Sequence, residues 1–223
     1  MNVPLAEYVV NLVIQVMHMA GYPGIFFLML LEGMLLPVPS EVVMAFGGFL
    51  AFSDGLPPVL GIPAYIIVLI AGSLGNLVGA YIAYMIGDYG GIPLIKKYGK
   101  YVLLKEDTVD TVQKWFEKYG PMSVFLTRLV PVFRTFISIP AGIARMNRKL
   151  FLAYTFIGAV IWDSFLVYLG WKFGQNWQVI VASFTKYTDV ALAALGLLFI
   201  YWIYRALSRR KAIKEKKNSQ AEK

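Results

Sequence analysis

Two arginines, Arg128 and Arg134, lie inside an otherwise apolar stretch of the chain, with Pro131 between them. Pro140 follows and leads into Gly142. Proline in a helix interior removes a backbone hydrogen bond and clashes with the preceding turn, so we expect a broken helix or a hairpin that enters the membrane and returns. Arginine at membrane depth is costly and usually faces a protein partner or a wet cavity. Its forked set of donors matches phosphate oxygens, which favours an anion-binding role.

Two glutamates stand at a similar break nearer the N-terminus. Glu32 ends an uncharged apolar run, and Glu41 follows the break Pro37-x-Pro39-Ser40. The prolines forbid a continuous helix, and Ser40 suits the N-cap of a second helix that begins near Glu41. A carboxylate is favourable in the first turn of a helix, so Glu41 could also be a simple capping acid. We expect a helix–break–helix hairpin that carries Glu32 at membrane depth.

The composition is that of an integral membrane protein. Of the 223 residues, 58% are hydrophobic and 15% are charged, whereas about a quarter are charged in a typical soluble domain. The length suits one transmembrane domain with five to seven membrane segments. The absence of cysteine excludes disulfides, thiolate metal sites and cysteine nucleophiles. No lysine or arginine occurs near the N-terminus, which argues against a cleaved secretory signal.

The basic residues are confined to one part of the chain. All 21 lie in 96–223. Because basic loops stay on the cytoplasmic side, this asymmetry indicates membrane topology, and it fits nucleic-acid binding poorly in so apolar a chain. We expect 92–118 to be a cytoplasmic connector with an amphipathic helix at 106–118. The basic tail, 206–223, is expected to be cytoplasmic and attracted to anionic lipid.

Membrane-spanning helices are predicted at 64–86, 150–171 and 188–204, from their apolar character and length. Residues 1–20 form a helix that either lies on the membrane surface or spans it. Residues 21–205 are interpreted as a single transmembrane domain. The first helix carries a polar stripe formed by Glu7, Asn11, Gln15 and His18. The only histidine belongs to that stripe, which favours a solvated surface position over a proton carrier.

The two breaks belong to an internal repeat with halves at about 21–91 and 119–175. Tyr22-Pro23-Gly24 and Tyr119-Gly120-Pro121 begin similar apolar runs. One constant offset, 83 residues, relates Gly75, Gly87 and Gly91 to Gly158, Gly170 and Gly174. If the basic segments all lie inside, 119–144 starts and ends on one side, and the glutamate hairpin enters from the other. The pattern predicts an all-α polytopic membrane protein, an inverted repeat with two opposed re-entrant helical hairpins.

Opposed hairpins would bring Glu32 and Glu41 toward Arg128 and Arg134. In an empty site these groups would neutralise one another. An incoming anion would compete for the arginines while protons replaced it on the acids. The alternative is an ion pair that only ties the hairpins together. No catalytic or metal-binding residue is predicted.

The ordered set of motifs resembles the DedA (SNARE-associated, VTT-domain) membrane proteins over about residues 20–175. The set comprises Glu32, Pro37-x-Pro39-Ser40-Glu41, Arg128-x-x-Pro131-x-x-Arg134, Pro140-Ala141-Gly142, Met146, Phe151, Gly158-Ala159 and Trp162. The chain departs from the pattern at Thr155, where many members have asparagine, and at Glu41, where some have aspartate. The resemblance implies re-entrant hairpins and movement of lipids across the membrane.

For bacterial members, the resemblance implies return of undecaprenyl phosphate to the cytoplasmic leaflet, driven by the proton motive force. It assigns proton-linked roles to Glu32 and Glu41, and phosphate binding to Arg128 and Arg134. We therefore expect a plasma-membrane flippase for a polyprenyl phosphate of the undecaprenyl or dolichyl type. Protons and membrane lipids would be its partners, it would need no cofactor, its C-terminus would be cytoplasmic, and a homo-oligomer is left open.

Three other functions stay open at this stage. A proton-coupled small-solute or ion antiporter needs only acids at depth. A non-specific scramblase would move phospholipids without regard to headgroup, as the resemblance implies for eukaryotic relatives. A lipid phosphatase is disfavoured, because such an enzyme commonly uses histidine and His18 lies outside both hairpins.

Overall fold

A computed structural model describes residues 5–36, 38–102, 116, 119–130 and 133–176 of the chain. Pro37, Pro131, the predicted span 188–204 and the basic tail 206–223 lie outside the described residues, as does nearly all of the predicted amphipathic helix at 106–118. In the described part the structure is helical, and its only β-type pairing is one isolated bridge between Val59 and Ile62.

Seven α-helices and one short 3₁₀ turn are described. They are α1 (Leu5–Gly33), α2 (Ser40–Phe52), α3 (Ala64–Val102), α4 (Met122–Arg128), α5 (Phe133–Phe136), α6 (Ser138–Ile143) and α7 (Arg148–Phe173), followed by the turn Gly174–Asn176. Three segments within α1, α3 and α7 are long and apolar enough to cross a membrane. They are Tyr8–Gly33, Ala64–Gly90 and Arg148–Phe173. The protein is therefore an all-α, multi-pass membrane protein.

Helix α1 consists of two helices joined at a kink. Gly21 has φ 54° and ψ −129°, a conformation that glycine adopts without a Cβ clash. The predicted N-terminal helix therefore runs directly into the first arm of the glutamate hairpin. Asn11, Gln15 and His18 are exposed, as their stripe predicts, whereas Val13 and Met17 are buried on the opposite face.

The predicted break in the glutamate hairpin is present, between the end of α1 and the start of α2. The prediction that Ser40 caps α2 is wrong by one residue. Pro39, with an extended backbone, occupies the cap position, and no side chain caps the helix there. Ser40 is the first helical residue and is buried.

The arginine segment is also broken, but not at every predicted residue. Helix α4 ends at Arg128, and helical structure resumes only at α5. The prediction that Pro140 and Gly142 break the chain is wrong, because both lie inside α6. Pro140 is tolerated because it is the third residue of the helix, where no N–H is needed for an intrahelical bond. The chain turns after α6, and Asn147 caps α7 by accepting bonds from two backbone N–H groups.

Glycines bring the second arm of each hairpin into backbone contact with a long helix. A Cβ added to Gly170 of α7 would overlap the Ala45 carbonyl of α2, and one added to Gly48 of α2 would overlap the Val167 backbone of α7. Gly87 of α3 lies against the Ile139 carbonyl of α6, and Gly142 of α6 lies against the Tyr84 carbonyl of α3. Gly142 is therefore a packing residue.

The spanning helix predicted at 64–86 is longer than expected. Helix α3 includes Gly87, which packs against α6, and it continues to Val102. The predicted connector at 92–118 therefore begins as helix. Helices α3 and α7 both contribute to two apolar clusters. One cluster includes Val68 and Leu166, and the other includes Tyr84 and Phe151. Helices α3 and α7 thus form the scaffold on which both hairpins pack.

Candidate anion site between the two hairpins

The four predicted site residues come from four different helices and converge. Glu32 lies at the end of α1, Glu41 in the first turn of α2, Arg128 at the end of α4 and Arg134 in α5. Glu32, Arg128 and Arg134 are each no more than 4% exposed, and the side chain of Glu41 is 15% exposed. Each helix break therefore delivers its charged side chain into the interior.

Arg134 connects the two hairpins. Its Nη2 atom lies 3.0 Å from the Oε1 atom of Glu32 and 4.0 Å from the Oε1 atom of Glu41. Its guanidinium carbon lies 5.4 Å from the ring centroid of Trp162, a distance typical of a cation–π contact. Two carboxylates thus share one guanidinium group, and Arg134 is fully engaged inside the protein.

Arg128 is placed differently, because all of its polar partners are neutral. Its Nη2 atom donates to the Ser138 hydroxyl at 2.9 Å, and its Nη1 atom donates to the Asn76 Oδ1 atom at 3.2 Å. Its Nε–H has no partner among the described residues. Within those residues no carboxylate lies inside the 4.0 Å ion-pair distance of Arg128. The expected direct contact between a glutamate and this arginine is therefore absent.

Asn76 connects Arg128 and Glu32, which form no direct ion pair. This residue of α3 accepts a hydrogen bond from Arg128 and donates one through Nδ2 to the Oε2 atom of Glu32. Asn76 directly follows Gly75 in an apolar predicted span, but the sequence does not show its partners, which come from tertiary contacts. Gly158 of α7 allows α4 to approach, since a Cβ there would overlap the Arg128 side chain.

Asp163 of α7 is a fifth charged residue of this region, and the sequence analysis missed it. It is fully buried. Its Oδ2 atom accepts from the Ser73 hydroxyl at 2.9 Å, and its Oδ1 atom has no partner in the described structure. A signal was present: Asp163 is the only charged residue inside the predicted span 150–171, and acids at membrane depth are functional candidates by default.

Two more buried polar atoms on α7 lack partners within the described residues. They are Oγ1 of Thr155 and Nε1 of Trp162. These two residues are seven positions apart, about two helical turns, and so share one face of α7. With the Nε–H of Arg128, they leave three buried donors unused. Buried donors are normally paired, so unused ones require an explanation, and a bound anion is the partner that such donors favour.

The ion-pair network can hold charge, but the described residues do not form an evident metal site. No group of three or more His, Cys, Asp and Glu side chains in the described part is placed to bind a metal ion. His18 lies elsewhere, with its ring 5.3 Å from that of Phe46. What the geometry offers is anion binding at a guanidinium group and proton binding at buried carboxyl groups.

Comparisons with known proteins agree with the motifs. The VTT domain matches residues 38–172, more than half of the chain. The alkaline phosphatase-like protein of Lactococcus lactis is 37% identical over 205 residues, which cover 90% of this chain and 92% of the relative. Undecaprenyl phosphate transporter A of Bacillus subtilis is 37% identical over 188 residues, covering 83% and 88%.

Undecaprenyl phosphate transporter A of Staphylococcus aureus is 33% identical over 194 residues, which cover 87% of this chain and 94% of that protein. No solved structure matches the chain. The chain belongs to the VTT-domain, or DedA, family of membrane proteins.

Proposed function

We propose that this protein transports a lipid phosphate, of the polyprenyl phosphate class, across the plasma membrane. The observation that carries the proposal is the state of Arg128, which is buried with neutral partners only. A guanidinium group keeps its charge, and an unpaired buried charge is costly. An anion that enters the site would remove that cost.

Phosphate suits this site better than a simple ion does. The unused donors of Arg128, Thr155 and Trp162 supply N–H and O–H groups for several phosphate oxygens. The surrounding helices are apolar and long enough to cross a membrane, which lets a prenyl tail stay in lipid while the headgroup enters the protein. Two relatives that carry the name undecaprenyl phosphate transporter support the same substrate class.

The Glu32–Arg134–Glu41 cluster would act as a latch between the hairpins. In the empty protein it links α1 and α2 of the first half to α5 of the second. A bound phosphate would compete with the carboxylates for Arg134, and the buried acids of the site would take up a proton. Loss of the latch would free the hairpins to move relative to one another. Proton coupling therefore follows from competition for one guanidinium group.

An inverted repeat would provide the alternating access that such transport needs. The matched glycine contacts of Gly170 on α2 and Gly87 on α6 support it, since the sequence repeat relates these two glycines. Entry of the hairpins from opposite faces of the bilayer stays a prediction. So do the cytoplasmic C-terminus and a homo-oligomer.

Transport assays in proteoliposomes test the proposal. The full-length protein is placed in phosphatidylethanolamine–phosphatidylglycerol vesicles that contain a polyprenyl phosphate, and the fraction of this lipid exposed at the outer leaflet is followed with time. We expect Arg128→Ala to slow movement by about 10- to 100-fold, the effect of losing about 1.5–3 kcal/mol of charged hydrogen bonding. Arg145→Ala is the matched control, because the side chain of Arg145 is 74% exposed.

Four results would contradict the proposal. Lipid transport by Arg128→Ala at the wild-type rate would show that Arg128 is not the residue that binds the phosphate. Equal rates for a phosphatidylcholine analogue would indicate a non-specific scramblase, and proton flux without lipid would indicate an antiporter. Release of inorganic phosphate from a polyprenyl pyrophosphate would instead indicate the phosphatase activity that the name of the Lactococcus relative suggests.

A further inference from the structure

We infer that Asp163 binds the proton that accompanies the anion, and that a lipid phosphate binds well only when this carboxyl group is protonated. The inference rests on the proposed transport function. It assigns the proton to a residue outside the glutamate pair, which the geometry ties to Arg134.

The three buried or half-buried acids of the region have unequal partners. Glu32 contacts both Arg134 and Asn76. Glu41 lies within ion-pair distance of Arg134 and is partly exposed. Asp163 is fully buried, receives one bond from the neutral hydroxyl of Ser73, and has an oxygen without a partner in the described structure. Of the three, Asp163 is the acid for which ionisation is most costly.

The charge balance of the site leads to the same residue. Three ionised carboxylates opposite two guanidinium groups leave one negative charge in excess, and one proton brings the sum to zero. The charged groups that act on Asp163 are Glu32 from α1, Glu41 from α2, Arg128 from α4 and Arg134 from α5. The arginines are held by other partners, so a proton on the free Oδ1 atom is the neutralisation that needs no rearrangement.

This arrangement couples two binding events. With Asp163 ionised, the site carries excess negative charge and repels a phosphate from Arg128. With Asp163 protonated, the positive charge of Arg128 is uncompensated nearby and attracts the phosphate. When the proton leaves, the carboxyl O–H bond breaks, the proton passes to water and the carboxylate remains. By linkage, the affinity for the anion must then fall as pH rises.

Binding measurements on the purified full-length protein test the inference, with farnesyl phosphate as the probe. For the wild type we expect affinity to fall by up to about tenfold per pH unit above the midpoint, the limit for one linked proton. Asp163→Asn fixes the neutral state, so its affinity should stay high across the same range, apart from the titration of the probe itself. Asp54→Asn, a change of the same kind at an exposed aspartate outside the site, is the control that keeps the steep dependence.

A pH dependence in Asp163→Asn equal to that of the wild type would overturn the inference. If Asp163→Asn does not fold, Ser73→Ala replaces it. Loss of the Ser73 donor disfavours the carboxylate, so the midpoint should move to higher pH. An unmoved midpoint would also overturn the inference.

A second readout separates this inference from the transport proposal. Infrared spectra of the wild type should show the carbonyl band of a protonated carboxylic acid near neutral pH, and Asp163→Asn should lack it. If the band is present but farnesyl phosphate does not bind at any pH, the proposed function fails while the protonation of Asp163 stands. If the band is the same in both proteins, Asp163 does not hold the proton.

Discussion

Two helix contacts of the protein are alike, although the two hairpins carry side chains of opposite charge. In each contact, a short helix of a hairpin lies against a long helix through a pair of glycines: Gly48 and Gly170 where α2 meets α7, Gly142 and Gly87 where α6 meets α3. Glu32 and Glu41 lie in the hairpin formed by α1 and α2, whereas Arg128 and Arg134 lie in α4 and α5. The two contacts are thus alike in packing, while the two hairpins differ in charge.

A second difference lies within the pair of arginines. Arg134 is held by acids of the other half, whereas Arg128 is held by Asn76 and Ser138 and by no carboxylate in the described residues. An arginine paired with buried acids contributes mainly to cohesion. An arginine without an acid is available to a ligand. Similar residues in similar hairpin positions are therefore expected to affect different properties of the protein.

The largest expected effect on stability comes from Arg134→Ala. Its removal leaves the buried Glu32 and the nearby Glu41 without a counter-charge, and breaking a buried pair in this way costs about 3–5 kcal/mol. Arg128→Ala should cost clearly less, because no acid loses its partner. Thermal unfolding in detergent, followed by tryptophan fluorescence, measures both.

Adding Glu32→Gln to Arg134→Ala is the control. This second substitution removes one uncompensated charge and should recover part of the loss. Equal destabilisation by Arg134→Ala and Arg128→Ala would contradict the division of roles between the two arginines.

The next largest expected loss of stability tests whether the two glycine contacts are equivalent. Gly48→Ala and Gly142→Ala each place a methyl group against backbone, at Val167 and Tyr84 respectively. Neither backbone can move easily, so each variant should lose about 1–3 kcal/mol, the usual cost of overpacking. The midpoints of thermal unfolding of the two variants should fall by similar amounts. A loss in only one of the two variants would show that the two glycine contacts are not equivalent.

The exposed residue Ile161 on α7 provides the reference for this pair, since it is 48% exposed. Ile161→Ala removes side-chain atoms from the surface and leaves every helix contact of the glycines intact. Its midpoint should stay close to that of the wild type.

The smallest expected effect distinguishes the two glutamates. Glu32 is bonded to Arg134 and Asn76, whereas Glu41 lies at the limit of ion-pair distance and is partly exposed. Glu32→Gln should therefore cost about 1–3 kcal/mol, and Glu41→Gln less than about 1 kcal/mol. Chemical denaturation in detergent measures the difference. The reverse order would contradict the geometry of the latch.

Much of the fold follows from local signals in the sequence. The break predicted from Pro37-x-Pro39 is present before α2, and the α7 span is an apolar run of the required length. Residues with long-range partners were harder to place. Pro140 was expected to break a helix, because the sequence does not show that it occupies a first turn. Gly142 was assigned to the same break, although its role is set by Tyr84 on a distant helix.

The site was predicted in the same uneven way. Charge within an apolar stretch identified Glu32, Arg128 and Arg134 as candidates, but it did not show which acid pairs with which arginine. Those partners depend on how the helices cross. Asp163 carried the same local signal as Glu32, and only the lack of a neighbouring proline or second charge set it apart.

The most direct measurement is the affinity of the purified protein for farnesyl phosphate and for farnesol, which has the same tail without the phosphate. We predict that the wild type binds farnesyl phosphate and not farnesol, and that Arg128→Ala weakens phosphate binding by about 10- to 100-fold while the protein stays folded. Equal binding of farnesyl phosphate by the wild type and a folded Arg128→Ala variant would contradict the assignment of Arg128 as the phosphate ligand.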